Sequence, residues 1–144
     1  MTKSLLEREV TSDIIGAFYD VYNHLGSGFL EYVYKLALER ELLARGRTVG
    51  REVVIPILYK GHVLTTQRLD MIVDDRVIVE VKSTNVLPSI APRQTLNYLR
   101  ATDLQVALLL HFGPQANFQR FVQSAGRTSV VDAVPEGHVP SDGT

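Results

Sequence analysis

Asp70, Glu80 and Lys82 stand out in the stretch 68–83, RLDMIVDDRVIVEVKS, because each interrupts a run of strand-forming apolar residues. Side chains alternate faces along an extended strand, so Glu80 and Lys82 point one way while Val79 and Val81 point the other. The turn between the two runs sets the partner of Asp70. A two-residue loop at Asp74 and Asp75 mixes charged and apolar side chains on both faces. A three-residue loop, 74–76, places Asp70 opposite Glu80. Leu69, Met71, Val73, Val77, Val79 and Val81 then share one apolar face, and Asp70, Ile72, Ile78, Glu80 and Lys82 share the other. A slip of one residue exchanges the faces, so burial selects the second register.

Like charges placed opposite one another across a strand pair repel, and sheets tend to avoid them. A divalent cation between Asp70 and Glu80 would remove the repulsion. Hard cations take oxygen ligands, and one or two carboxylates completed by water and substrate phosphate suit Mg²⁺. Lys82 then stands where it can stabilise charge that develops on a phosphoryl group. The bland alternative is a cross-strand carboxylate pair on a solvated face, relieved by the lysine. Residue types and spacing alone leave both open.

The elements that must position these residues can be read along the chain. Residues 9–25 carry Val10, Ile14, Ala17, Phe18, Val21, Tyr22 and Leu25 at helical spacing. Gly26-Ser27-Gly28 ends that helix, and a second follows over 30–45 with Glu31 in its first turn, where the helix dipole favours a carboxylate. Residues 52–59 read as a strand, with Pro56 pointing to an edge or a bulge. Lys60-Gly61 reads as a two-residue hairpin turn into a strand from His62 that is long or broken near 65–67. After Ser83, Pro88 and Pro92 mark a loop leading into a helix that ends about Ala101, with Gln94 and Tyr98 on one side of it. Residues 105–110, QVALLL, read as a buried strand broken by 111–114, and 118–122 as a last edge strand.

At 144 residues the chain has the length of one domain. Residues 1–123 are expected to form it, with 124–144 a flexible tail rich in Gly, Ser, Pro and Val. The chain has no cysteine, which excludes disulfides, thiolate metal sites and cysteine nucleophiles and is compatible with a reducing cytoplasm. No stretch approaches the roughly 20 apolar residues of a membrane span, and the first residues lack the apolar run of a signal peptide. A cytoplasmic protein with no membrane partner is expected. The net charge of −1 gives no global attraction to a polyanion, although a local patch with bound cations can still grip one. His24, His62 and His111 show no ligand spacing among themselves.

Three separated motifs together carry a resemblance. Asp70 followed by Glu80-Val81-Lys82 resembles the signature of the PD-(D/E)XK nuclease superfamily, with Leu69 where proline is usual. Gln94 and Tyr98 match the QxxxY pattern of its RecB-like branch. Residues 28–34, GFLEYVY, are similar to the name-giving motif of the GxxExxY proteins, a small bacterial group of that superfamily.

The resemblance implies an α/β domain with a restriction-endonuclease-like core, a small mixed sheet flanked by helices. It implies Mg²⁺ or Mn²⁺ as cofactor, held by Asp70, Glu80 and the backbone carbonyl of Val81, with Glu31 reaching the same site directly or through water. Lys82 is implied to position or activate water, and Gln94 and Tyr98 to border the site and touch substrate. Gly28 is implied to permit close approach of the second helix, and Tyr34 to support it. The expected activity is hydrolysis of phosphodiester bonds in nucleic acid, DNA rather than RNA, with a homodimer as a plausible assembly. The competing class is a nucleic-acid-binding or interaction module that retains the fold without hydrolysis.

Overall fold

A computed structural model of the protein describes residues 7–124 and 127–133. Two helices, α1 (Arg8–Leu25) and α2 (Glu31–Ala44), precede a hairpin of β1 (Val49–Tyr59) and β2 (His62–Val73). Then come β3 (Val77–Lys82), α3 (Ala91–Arg100), β4 (Val106–Phe112), β5 (Ala116–Ser124) and β6 (Arg127–Ala133). The six strands form one sheet in the order β1-β2-β3-β4-β5-β6. All neighbours are antiparallel except β3 and β4, which run parallel around the α3 crossover. This is the mixed α/β sheet flanked by helices that the sequence leads one to expect.

The sheet is covered on both faces. Val10, Ile14, Phe18 and Val21 of α1 and Tyr34, Leu38 and Leu42 of α2 pack with Val77, Val79, Val81, Val106, Leu108 and Leu110. On the other face Ala91 and Leu99 of α3 pack with Ile78, Ala107, Leu109 and Phe121. All seven residues of β4 are consequently buried, as a parallel strand between two helical layers must be. The outer half of the β1–β2 hairpin extends past this core, and residues 58–66 are exposed on both faces.

The hairpin between β2 and β3 has the register that burial selects. Met71 pairs with Val79, Ile72 with Ile78 and Val73 with Val77, leaving 74–76 as a three-residue loop. Asp74 and Asp75 both take left-handed φ, 54° and 55°, a conformation that aspartate tolerates better than most residues. Asp74 also caps the start of β1, accepting from the Thr48 N–H at 2.8 Å and from Arg47 Nη1 at 2.9 Å. Lys60-Gly61 forms the expected two-residue turn, with Tyr59 opposite His62. Pro56 lies in β1, which is an edge strand.

Four expectations need correction. Leu69 does not share the Met71 face; it packs with Ile55 and Ile78 on the α3 side, so strict alternation fails between Leu69 and Met71. Of the two forms left open for β2 the long one is found, unbroken through 65–67, and the irregularity lies in β1 between Ile57 and Leu58. His111 and Phe112 belong to β4 rather than ending it. Nor is β5 an edge. Residues 127–133, placed by sequence in the flexible tail, form β6 along it, while 134–144 lie outside the described residues. Among the described residues no helix is long and apolar enough to cross a membrane.

Candidate active site

β2 and β3 part at the charged residues. Backbone pairing between them stops at Met71 and Val79, although β3 continues to Lys82 and β2 runs back to His62. At the fork, side chains take over from the ladder. The Asp70 N–H donates to Glu80 Oε2 at 2.9 Å, and the Val81 N–H donates to Asp70 Oδ2 at 2.8 Å. Each carboxylate thus satisfies a backbone donor that the separating strands would otherwise leave open. The two acids are locked side by side by their own backbone.

Glu80 is only 7 % exposed. Burial, and next the negative charge of Asp70, push its carboxyl up to about 8 against the pull of the Asp70 N–H, Lys82 and Lys35. Tyr98 reaches the site from α3: burial raises its hydroxyl, and the charges of Glu80 and Asp70 raise it further. Gln94 precedes Tyr98 by about one turn on the same helix. Lys82 follows Glu80 on the same face of β3, near enough for its charge to be felt there.

Glu31 is the first residue of α2 and stands apart from the two acids. Its Oε2 accepts from the Ser83 N–H at 3.4 Å, just beyond the end of β3. With Gly28, Phe29, Ser83, Thr84, Phe112 and others it lines a cleft of about 440 Å³. Ser83 Oγ also donates to the Phe29 carbonyl, so the loop after α1 and the loop after β3 are stitched together. Tyr34 anchors the first of these loops. Its ring is fully buried and stacks on Phe112 at 4.0 Å, and its hydroxyl donates to the Gly26 carbonyl while accepting from the Phe29 N–H at 3.2 Å. Gly28 has φ +105°, yet a Cβ built there would meet nothing within 4 Å. Its need is conformational, which replaces the expectation of a close helix approach.

Three residues that sequence reading passed over also shape the site. Lys35, one turn after Glu31, places Nζ 3.2 Å from Asp70 Oδ1 and 2.9 Å from Glu52 Oε2. Burial alone would lower this lysine, but the hydrogen bond to Glu52 and the charge of Asp70 hold it above its ordinary value. Its i, i+4 spacing from Glu31 was the available signal. Glu52 had none, because it sits in β1 with φ 56°, a break in the strand that no pattern announces. His111 is buried, and its Nε2 lies 2.9 Å from the Thr84 carbonyl, to which it donates, and 3.1 Å from Thr84 Oγ1. It fixes the loop that follows Lys82.

The family model described as the PD-(D/E)XK nuclease superfamily matches residues 8–121. The chain belongs to this superfamily. Searches of curated proteins and of solved structures find no match. In this PD-(D/E)XK chain Asp70 and Glu80 lie on the two strands that part, and Lys82 stands two residues after Glu80.

The donor set fits the divalent cation typical of this superfamily. Two hard carboxylates are held together; burial first, and then the charge of Asp70, raise Glu80, and a divalent cation would offset both. Among the described residues no group of three or more His, Cys, Asp or Glu is assembled to hold a metal. Asp70 and Glu80 are the side chains that would hold it, with the rest of the shell left to backbone and water, as Mg²⁺ prefers.

Proposed function

We propose that this protein is a Mg²⁺- or Mn²⁺-dependent nuclease that hydrolyses phosphodiester bonds, with DNA as substrate. The observation that carries the reading is the fork between β2 and β3, where Asp70 and Glu80 are interlocked through backbone N–H groups and Lys82 shares their face. In this reading Asp70, Glu80 and the Val81 carbonyl hold the cation. When bound, the cation would polarise the scissile phosphate and lower the pKa of an attacking water.

The remaining work falls to the chain. Lys82 orients the water and offers positive charge as negative charge gathers on the phosphoryl oxygens. Tyr98, held beside Glu80 and Asp70, and Gln94 border the site and contact the substrate backbone. Glu31 faces the neighbouring cleft with Ser83 and would reach the cation directly or through water. Gly28 and Tyr34 set the loop that presents Glu31. The combination of the 28–34 motif with Gln94 and Tyr98 places the chain, in this reading, in the GxxExxY group and the RecB-like branch. A cytoplasmic location and a homodimer belong to the same reading.

Cleavage assays on single- and double-stranded DNA and RNA with Mg²⁺ and Mn²⁺ test it. Asp70→Ala and Lys82→Ala should each abolish cleavage while circular dichroism shows an intact fold; full cleavage by either variant refutes the mechanism. The ion pair between Lys35 and Asp70 favours a second reading, a non-hydrolytic nucleic-acid-binding or interaction module. Metal-dependent cleavage by the wild type, lost in the Asp70 variant, rules that out.

A further inference from the structure

Glu52, Asp70 and Glu80 stand in a row across three adjacent strands. Arg51 pairs with Met71 and Val53 with Leu69, so Glu52 lies opposite Asp70; the β2–β3 register continues Asp70 to Glu80. Lys35 enters this row from α2, with its side chain 12 % exposed and its ammonium between Glu52 and Asp70. Glu52 can reach it only because its backbone leaves the strand conformation, at φ 56°. A left-handed φ is strained for a glutamate inside a strand, so the contact it permits calls for a reason.

We propose that Lys35 is a tethered cation that competes with the divalent metal for Asp70, and that Glu52 is its second berth. This rests on the metal-dependent reading of the same site. The ammonium neutralises Asp70 through Oδ1, while Oδ2 is held by the Val81 N–H. A cation that takes Oδ1 must displace the ammonium. Glu52 keeps Lys35 paired when that happens, so the displaced charge is not left half-buried beside a divalent ion. Lys35 and Glu52 are thus positioning residues: neither touches the metal, and both set how readily Asp70 accepts it.

Titration calorimetry with Mn²⁺ alone tests the assignment in four proteins: wild type, Lys35→Met, Glu52→Gln and the double variant. Lys35→Met should bind Mn²⁺ about tenfold or more tightly than wild type, because the competitor is gone. Glu52→Gln should bind several-fold more weakly, because Lys35 then has Asp70 as its one partner. The double variant should match Lys35→Met, since Glu52 acts only through the lysine. Lys35→Arg keeps the charge and so guards against a misfolded Lys35→Met; it should bind no more tightly than wild type.

Equal or weaker binding by folded Lys35→Met overturns the proposal. So does tighter binding by Lys35→Arg if Lys35→Met does not fold. A Glu52→Gln loss that persists in the Lys35→Met background would make Glu52 a direct ligand and overturns it as well. Absence of Mn²⁺ binding in both wild type and Lys35→Met defeats the metal reading itself, and the proposal with it. Binding in wild type without the gain defeats the proposal alone.

Discussion

Replacing Glu80 by glutamine should stabilise the metal-free protein at alkaline pH. Glu80 is held at about 8 by burial and by the charge of Asp70, against a usual 4.5. Between those values the folded carboxyl keeps a proton that the unfolded chain has released. The folded state therefore binds more protons, and stability falls as pH rises through this window. Each pH unit of such a window is worth about 1.4 kcal/mol, so the ceiling is roughly 5 kcal/mol. Lys35 and Lys82 offset part of the repulsion, so a loss of about 1–3 kcal/mol is expected. Glutamine imitates the protonated acid and can still accept from the Asp70 N–H. Thermal melts of both proteins in a chelating buffer at fixed ionic strength read the effect. Near pH 5 the two should melt close together. Near pH 8.5 Glu80→Gln should melt higher by about 4–12 °C, at roughly 4 °C per kcal/mol for a domain of this size. Added Mg²⁺ should raise the wild type and leave the variant nearly unmoved. A difference between the two proteins that is the same at both pH values, or larger in favour of the wild type at pH 8.5, refutes the account of Glu80.

Two further outcomes follow from the scaffold. Tyr34→Phe keeps the stack on Phe112 but removes the hydroxyl that joins the Gly26 carbonyl and the Phe29 N–H; denaturant unfolding should show a loss of about 1–3 kcal/mol, and an unchanged midpoint would argue that water replaces it. Asp74 is opposed by burial but held below its ordinary value by hydrogen bonds from Thr48 and Arg47. Its contribution is present above the unfolded carboxyl value and is lost as pH falls through the lower folded one. Asp74→Ala should accordingly cost about 1–3 kcal/mol near pH 7 and progressively less below pH 4, as melts at the two pH values would record.

The central strands were legible because their side chains obey simple burial rules. The apolar alternation from Met71 to Val81 admits one register only, and that register brings Asp70 and Glu80 together. β4, an apolar run beside β3, was equally plain. Legibility failed where tertiary contact overrides the local pattern. Leu69 changes sides where the β2–β3 ladder ends, and Glu52 takes a left-handed φ that strand periodicity does not predict. β6 was missed because its sequence lacks alternation; it completes the edge of a sheet already formed. Gly28 was read as allowing close approach, whereas it is its φ of +105° that asks for glycine. Lys35 looked like an ordinary helix lysine, since its partners lie 17 and 35 residues away.

These departures converge on α2. Along that helix Tyr34, Leu38 and Leu42 are fixed in the core, while Glu31 and Lys35, four apart, face the end of β3 and the fork. Tyr34 does both jobs: its ring seats the helix on Phe112, and its hydroxyl shapes the loop that delivers Glu31. A rigid helix with one buried stripe cannot move Glu31 without moving Lys35. The position of α2 on the sheet therefore sets both the cleft beside Ser83 and the charge balance at Asp70. A shift of that helix by a substitution such as Leu38→Ala, which touches neither acid's hydrogen bonds, would disturb both at once.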